Sequence, residues 1–140
     1  MSKHKDAELI LRLYELRREE KMREARDWFF GFNPSSSQDI MAVVTGNDSA
    51  KFRMVTSYWD MACSFVSHDA IDEDMFNDAN GEHVAVFAKF QPFLEEMRNI
   101  SGNQNYLKHL EKVVMGMPDA ETRLARMRER IAQMAAQRQG

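Results

Sequence analysis

Four side chains in the most apolar stretch of the chain, Phe52 to Phe65 (FRMVTSYWDMACSF), could carry chemistry: Arg53, Tyr58, Trp59 and Asp60. A guanidinium, a carboxylate and two aromatic walls are the ingredients of a small-molecule pocket. On a helix, residues seven positions apart share one side and stand ~10 Å from each other. Arg53 and Asp60 have that spacing and are too far apart for a direct pair. If that side is buried, each charge needs a partner elsewhere, because an unpaired buried charge is strongly destabilising. One reading makes the four residues a ligand-binding site. The other makes Arg53 and Asp60 tethers between helices, Arg53 to Asp39 and Asp60 to Arg98. The tethers are favoured, since arginine–carboxylate bonds commonly satisfy such groups.

Other chemistry finds less support. The histidines are His4, His68, His83 and His109, and neither Glu-x-x-His nor His-Glu-x-x-His occurs. The single cysteine, Cys63, excludes a disulfide framework and thiolate zinc spacing, and a lone cysteine in an apolar helix reads as core filler. The acidic run from Asp72 to Glu82 fails as a calcium loop. With Gly81 at the sharp turn, the first ligand would fall on Phe76. The six glycines form no phosphate-cradling cluster. His68 beside Asp69 and Asp72 could be a tuned base, but an exposed turn histidine is the plainer reading. The expectation is therefore no catalytic residue, no metal and no cofactor, and the balance leans away from an enzyme.

The elements that would position these side chains are helices. Read as a strand, the opening stretch mixes polar and apolar residues on one face. Read as a helix, it puts Phe52, Val55, Trp59, Ala62, Cys63 and Val66 together. A long charged helix is expected over residues 6–30, its apolar stripe shifting near Glu19 and Glu20. Gly31 to Ser37 stops it, and Ser36 with Asp39 resembles a capping box ahead of a short helix to Val44. Another short helix starts at Asp72. The segment from Glu82 begins apolar nearly all round, so it should be central. Pro92 must kink or split it. A helix over residues 106–115 and a last one from Pro118 complete the chain. In the last, Leu124, Met127, Ile131 and Met134 repeat with coiled-coil seam spacing.

The fold expected is all-α: a single helical bundle of five to seven helices, one domain over residues 1–140, with long amphipathic N- and C-terminal helices and frayed ends at 1–6 and 136–140. The expected core is Trp28, Phe29, Phe52, Val55, Trp59, Phe76, Val84, Phe87 and Leu110. A formal net charge of −3 argues against nucleic acid as the main partner, despite an arginine-rich tail. Arg12 and the charges after it interrupt the only N-terminal apolar run, so neither an export signal nor a membrane span is read, and the cytoplasm is the expected compartment. A Trp-Phe-Phe end to the first helix, an Arg…Tyr-Trp-Asp helix and an acidic loop resemble small soluble bacterial proteins of unknown role. The leading functional expectation is a non-enzymatic interaction module. It would be a homodimer or bind another helical protein, with contact through Leu9, Leu13 and Leu16 of the first helix and the Leu124–Met134 seam of the last. The alternative is a small-molecule-binding or sensing domain at Arg53, Tyr58, Trp59 and Asp60.

Overall fold

The computed structural model describes residues 2–139 and is all-α. Its helices are α1 (Lys3–Arg17), α2 (Glu20–Gly31), α3 (Ser37–Val44), α4 (Ser49–Ser67), α5 (Glu73–Ala79), α6 (Glu82–Phe90), α7 (Leu94–Ser101), α8 (Lys108–Met115) and α9 (Ala120–Gln139), with a 3-10 turn at Gln91–Phe93 between α6 and α7. These nine α-helices among the described residues exceed the five to seven expected, and two breaks account for the excess. The long first helix is in fact two. Glu19 turns to extended backbone, and its carboxylate accepts the Met22 N–H at 3.1 Å, acting as the N-cap of α2. That break resolves the shifting stripe: Ile10 and Leu13 face inward from α1, and Met22, Ala25 and Phe29 from α2. Pro92 makes the second break, because it can neither donate to the preceding turn nor fit its carbonyl. As for the expected frayed ends, α1 begins at Lys3 behind a Ser2 cap and α9 continues to Gln139, while Met1 and Gly140 lie outside the described residues.

The 52–65 stretch is the middle of α4. All six residues expected on its inner face are buried, joined by Thr56 and Tyr58. This helix packs on α2 and on α8, and α6 packs on α8 and α9. Every residue of α6 from His83 to Phe90 except Ala85 is buried, which is why its sequence carries no polar face. Burying one such Phe or Val stabilises the fold by about 1.5–3 kcal/mol relative to leaving it exposed. Phe29, Phe52, Val55, Trp59, Phe76, Val84, Phe87 and Leu110 all lie in the core, while Trp28 is half-buried against it and stacked on Phe32.

Short helices have many ends, and each end leaves backbone groups without intrahelical partners. Several are satisfied locally. Ser36 Oγ accepts the Asp39 N–H, as the sequence suggests, although the Asp39 carboxylate turns to Ser35. Asp72 caps α5 through the Met75 N–H. Gly102 closes α7 in the left-handed region, at φ 71°, where a side chain would be strained.

Other ends are closed from a distance. The residue before α8 is Leu107, itself left-handed at φ 59° and without any capping group. Asp60 of α4 takes over: its Oδ1 accepts the N–H groups of His109 at 3.1 Å and Leu110 at 3.0 Å. The expected Asp60–Arg98 tether is therefore replaced by a cap, and Arg98 instead holds Glu111 and the Tyr106 carbonyl. The expected Arg53–Asp39 tether is also absent, because Asp39 is engaged by Ser35 and Arg53 leans on the Ser49 carbonyl.

Asp60→Ala should lower stability to urea by about 1–2 kcal/mol, as loss of an N-cap does, with Asp60→Asn retaining most of it. Hydrogen exchange should show the first turn of α8 losing protection more than any other helix start.

Candidate functional site

The most polar part of the interior is built around Glu82, whose side chain is only 8% exposed at the start of α6. Arg26 of α2 forks onto it, with Nε 3.0 Å from each carboxylate oxygen and Nη2 2.8 Å from Oε1. Trp59 of α4 donates its indole N–H to Oε2 at 2.7 Å. Three helices thus meet on one carboxylate. Donating to the Glu82 carboxylate raises the Arg26 pKa, against an opposing push from burial. The Arg17 guanidinium lies over the Trp59 ring, 5.5 Å from its centroid.

Trp59 also stacks on His83, with ring centroids 5.6 Å apart, and Phe76 meets the same imidazole edge-on. His83 is fully buried. Its Nε2 sits 2.9 Å from Asn77 Oδ1, which makes that nitrogen the proton carrier, and its Nδ1 has no partner. Burial pushes its pKa down to about 4, with the Glu82 charge pulling the other way and Arg17 adding to the fall. Lys89, also on α6 and also buried, donates from Nζ to the carbonyls of Phe29 at 2.6 Å and Phe32 at 2.8 Å, closing the C-terminus of α2. Its pKa falls to about 8, from burial first and then from Arg138. Neither residue's role was legible from the residues alone, since a single polar residue in an apolar run does not say which carbonyl or amide it will reach.

The four candidate ligand-binding residues do not converge. Tyr58 donates its hydroxyl to the Leu13 carbonyl of α1. Burial raises its pKa to about 12, with Glu82 contributing and the Arg17 and Arg26 charges opposing. Trp59 serves Glu82 and Asp60 caps α8. Only Arg53 faces a cavity, an apolar groove of about 350 Å³. α3 contributes Ser37, Ile40, Met41 and Val44 to it, α4 contributes Phe52 and Arg53, α7 contributes Met97, Ile100 and Ser101, and Tyr106 closes one end. Val44 and Ile100 continue the inward stripes of Ile40 and Met97 to the ends of two short helices, where they stay exposed.

The candidate interface residues also divide. On α1, Leu13 is buried while Leu9 and Leu16 are each 43% exposed, and Leu11 at 60% and Tyr14 at 45% are exposed on another side of the helix. On α9, Leu124 is buried and Met127 and Ile131 pack against the core beside α6, leaving Met134 exposed. Arg128 of the same helix donates to Gln91 Oε1 and the Ala88 carbonyl, so part of the basic tail is tied to the end of α6. Cys63 is buried with its thiol pKa pushed up, burial first and Asp60 second, which leaves it unreactive. Among the described residues no cluster of three or more histidine, cysteine, aspartate or glutamate side chains is placed to hold a metal ion, and no helix is long and apolar enough to cross a membrane.

Residues 3–117 match the family described as a domain of unknown function, DUF4760, and the chain belongs to that family. No curated protein and no solved structure matches it. The match takes in α1 to α8, including the Glu82 centre and the whole lining of the groove, and stops before α9.

His83 makes stability depend on pH. Its folded pKa of about 4 lies below the ordinary 6.5, so the unfolded chain takes the proton first. The stability that depends on a neutral imidazole is complete above pH 6.5 and is lost as pH falls toward 4, by up to about 3 kcal/mol. Urea midpoints across that window should fall more steeply for the native chain than for His83→Gln, which cannot titrate. Parallel slopes would show that His83 is not the group responsible.

Proposed function

We propose that this member of the DUF4760 family is a non-enzymatic docking module, a single-domain helical bundle of the cytoplasm that binds another helical protein, a second copy of itself being the first candidate. The observation that carries the reading is the outer surface of α1. Leu9 and Leu16 form one exposed stripe at two-turn spacing beside the buried Leu13, on a helix that commits only Ile10 and Leu13 to the core, while Tyr14 and Leu11 are exposed beyond Ile10 on the opposite side of that buried face. Apolar surface left in water is unfavourable by about 25 cal/mol per Å², so a contiguous stripe is stabilised when covered.

The charges around the stripe support a specific contact rather than indiscriminate sticking. Arg12 and Glu15, on the solvent side of the stripe, pair loosely at 3.9 Å, while Arg17 and Arg18 lie against the separate Tyr14 ring, 5.2 and 5.6 Å from its centroid. A two-fold pairing would set identical stripes together with acid and base at the rim. The outer end of α9, where Met134 is 46% exposed and Phe30 of α2 is 38% exposed, is a separate and smaller apolar patch. Leu124, Met127 and Ile131 serve as the clasp that holds α9 to α6, leaving α1 as the main docking face.

Light scattering at micromolar concentration should give a dimer mass for the native chain. The Leu9→Glu, Leu16→Glu double variant should give a monomer of unchanged helicity, because both positions are exposed. A native chain that stays monomeric, and that loses no partner from pull-downs when both leucines are changed, would remove the proposal.

A further inference from the structure

The groove between α3, α4 and α7 is unusual in having a single charged lining residue, Arg53, with the hydroxyls of Ser37, Ser101 and Tyr106 as its other polar side-chain groups. Its floor is buried Ile40 and Phe52, and its rim is Val44 and Ile100, 40% and 55% exposed. Arg53 has one long contact, Nε to the Ser49 carbonyl at 3.4 Å, and among the described residues it enters no ion pair. The volume falls within the usual range for small-molecule sites, about 300–1,000 Å³.

We propose that this groove binds a free amphipathic monoanion, an alkyl or aryl carboxylate whose tail lies among Met41, Val44, Met97 and Ile100 and whose head pairs with Arg53. The charge argument selects the sign: one guanidinium with no internal partner complements one anionic head, and a cationic head would be repelled. Length argues for a small molecule. α3 and α7 are eight residues each, so the walls run for only about 12 Å, too short to seat several turns of a partner helix. The surroundings argue against a membrane. Asp39 on α3 and Glu95 and Glu96 in the first turn of α7 would be repelled by an anionic bilayer that a lone arginine could not hold. This inference is independent of the α1 contact, since no groove residue lies on α1.

The test uses three probes of equal tail length, decanoate, decanol and decyltrimethylammonium, each below its micelle concentration, read by thermal shift and calorimetry on the full chain. Decanoate should raise the melting temperature and bind roughly tenfold tighter than decanol, the worth of one charge-assisted hydrogen bond, with the cation weakest. Arg53→Gln, at an exposed position, should bring decanoate down to the level of decanol without changing the melting temperature of the free protein. Ile100→Trp, which fills the groove from its rim, should weaken both. Equal binding of all three probes, no binding, or affinities that neither variant moves would overturn the proposal. So would binding confined to anionic phospholipid vesicles, or a native dimer that Ile100→Trp dissociates, since the occupant would then be a membrane or a second copy.

Discussion

Glu82 keeps a negative charge where little water reaches it, and the packing of the chain answers that charge from two other helices. Removing one partner of such a buried pair typically costs about 3–5 kcal/mol, because the charge left behind has no solvent to turn to. Arg26 and Trp59 therefore cannot be treated as interchangeable with apolar neighbours of similar size. Their bonds to Glu82 set how α2 and α4 lie against the start of α6. Once the indole is aimed at Glu82, the plane of its ring is fixed as well, and His83 stacks on it. The most apolar helix of the chain is thus positioned at its first residue by ionic and hydrogen-bonding geometry. The apolar contacts then fill the space that this geometry defines.

The same logic extends to the helix ends. With helices as short as seven or eight residues, a large share of backbone groups lies in a first or last turn. The chain satisfies many of them by side chains from distant elements: Asp60 for α8, Lys89 for α2, Arg128 for α6 and Asp6 for the amide of Asp72. Each of these side chains has a capping role and also joins two helices, so polar residues supply much of the specificity in the packing that apolar residues drive. The groove at Arg53 stands apart from this network. Its arginine is on the same helix as Trp59 and Asp60, yet it alone of the three is exposed and makes no bond to another helix.

Much of the architecture was legible in the residues. The inner face of α4, the centrality of α6, the split at Pro92 and the Ser36 cap all follow from spacing, local sterics and short-range hydrogen bonding. What was not legible shares a physical cause, namely dependence on residues far away in sequence. Glutamate is a poor advertisement for an N-cap, so the Glu19 break read only as a drifting stripe. Asp60 looked like one end of an ion pair because nothing in its neighbourhood reveals that Leu107, forty-seven positions on, leaves a helix start uncapped. The α9 seam has the spacing of a contact between chains, but the same spacing suits a helix lying along α6. Of the four candidate residues only Arg53 lines the groove: Asp60 was rightly seen as needing a partner, which proved to be the α8 amides, whereas Tyr58 and Trp59 read as pocket walls and their polar atoms are instead taken by Leu13 and Glu82.

The distant cap on α8 also constrains the order of events during assembly. Nucleating a helix is unfavourable, and eight residues in water do not overcome that alone. With Leu107 at its head, α8 has no local device to help, so its first turn becomes stable only after α4 has presented Asp60 from forty-nine residues upstream. A fragment carrying α8 alone would remain coil, and during synthesis on the ribosome α4 would have to wait for the later segment to emerge before that contact could close. The carboxylate of Asp60 therefore acts as a template as well as a cap, making α8 contingent on the middle of the chain.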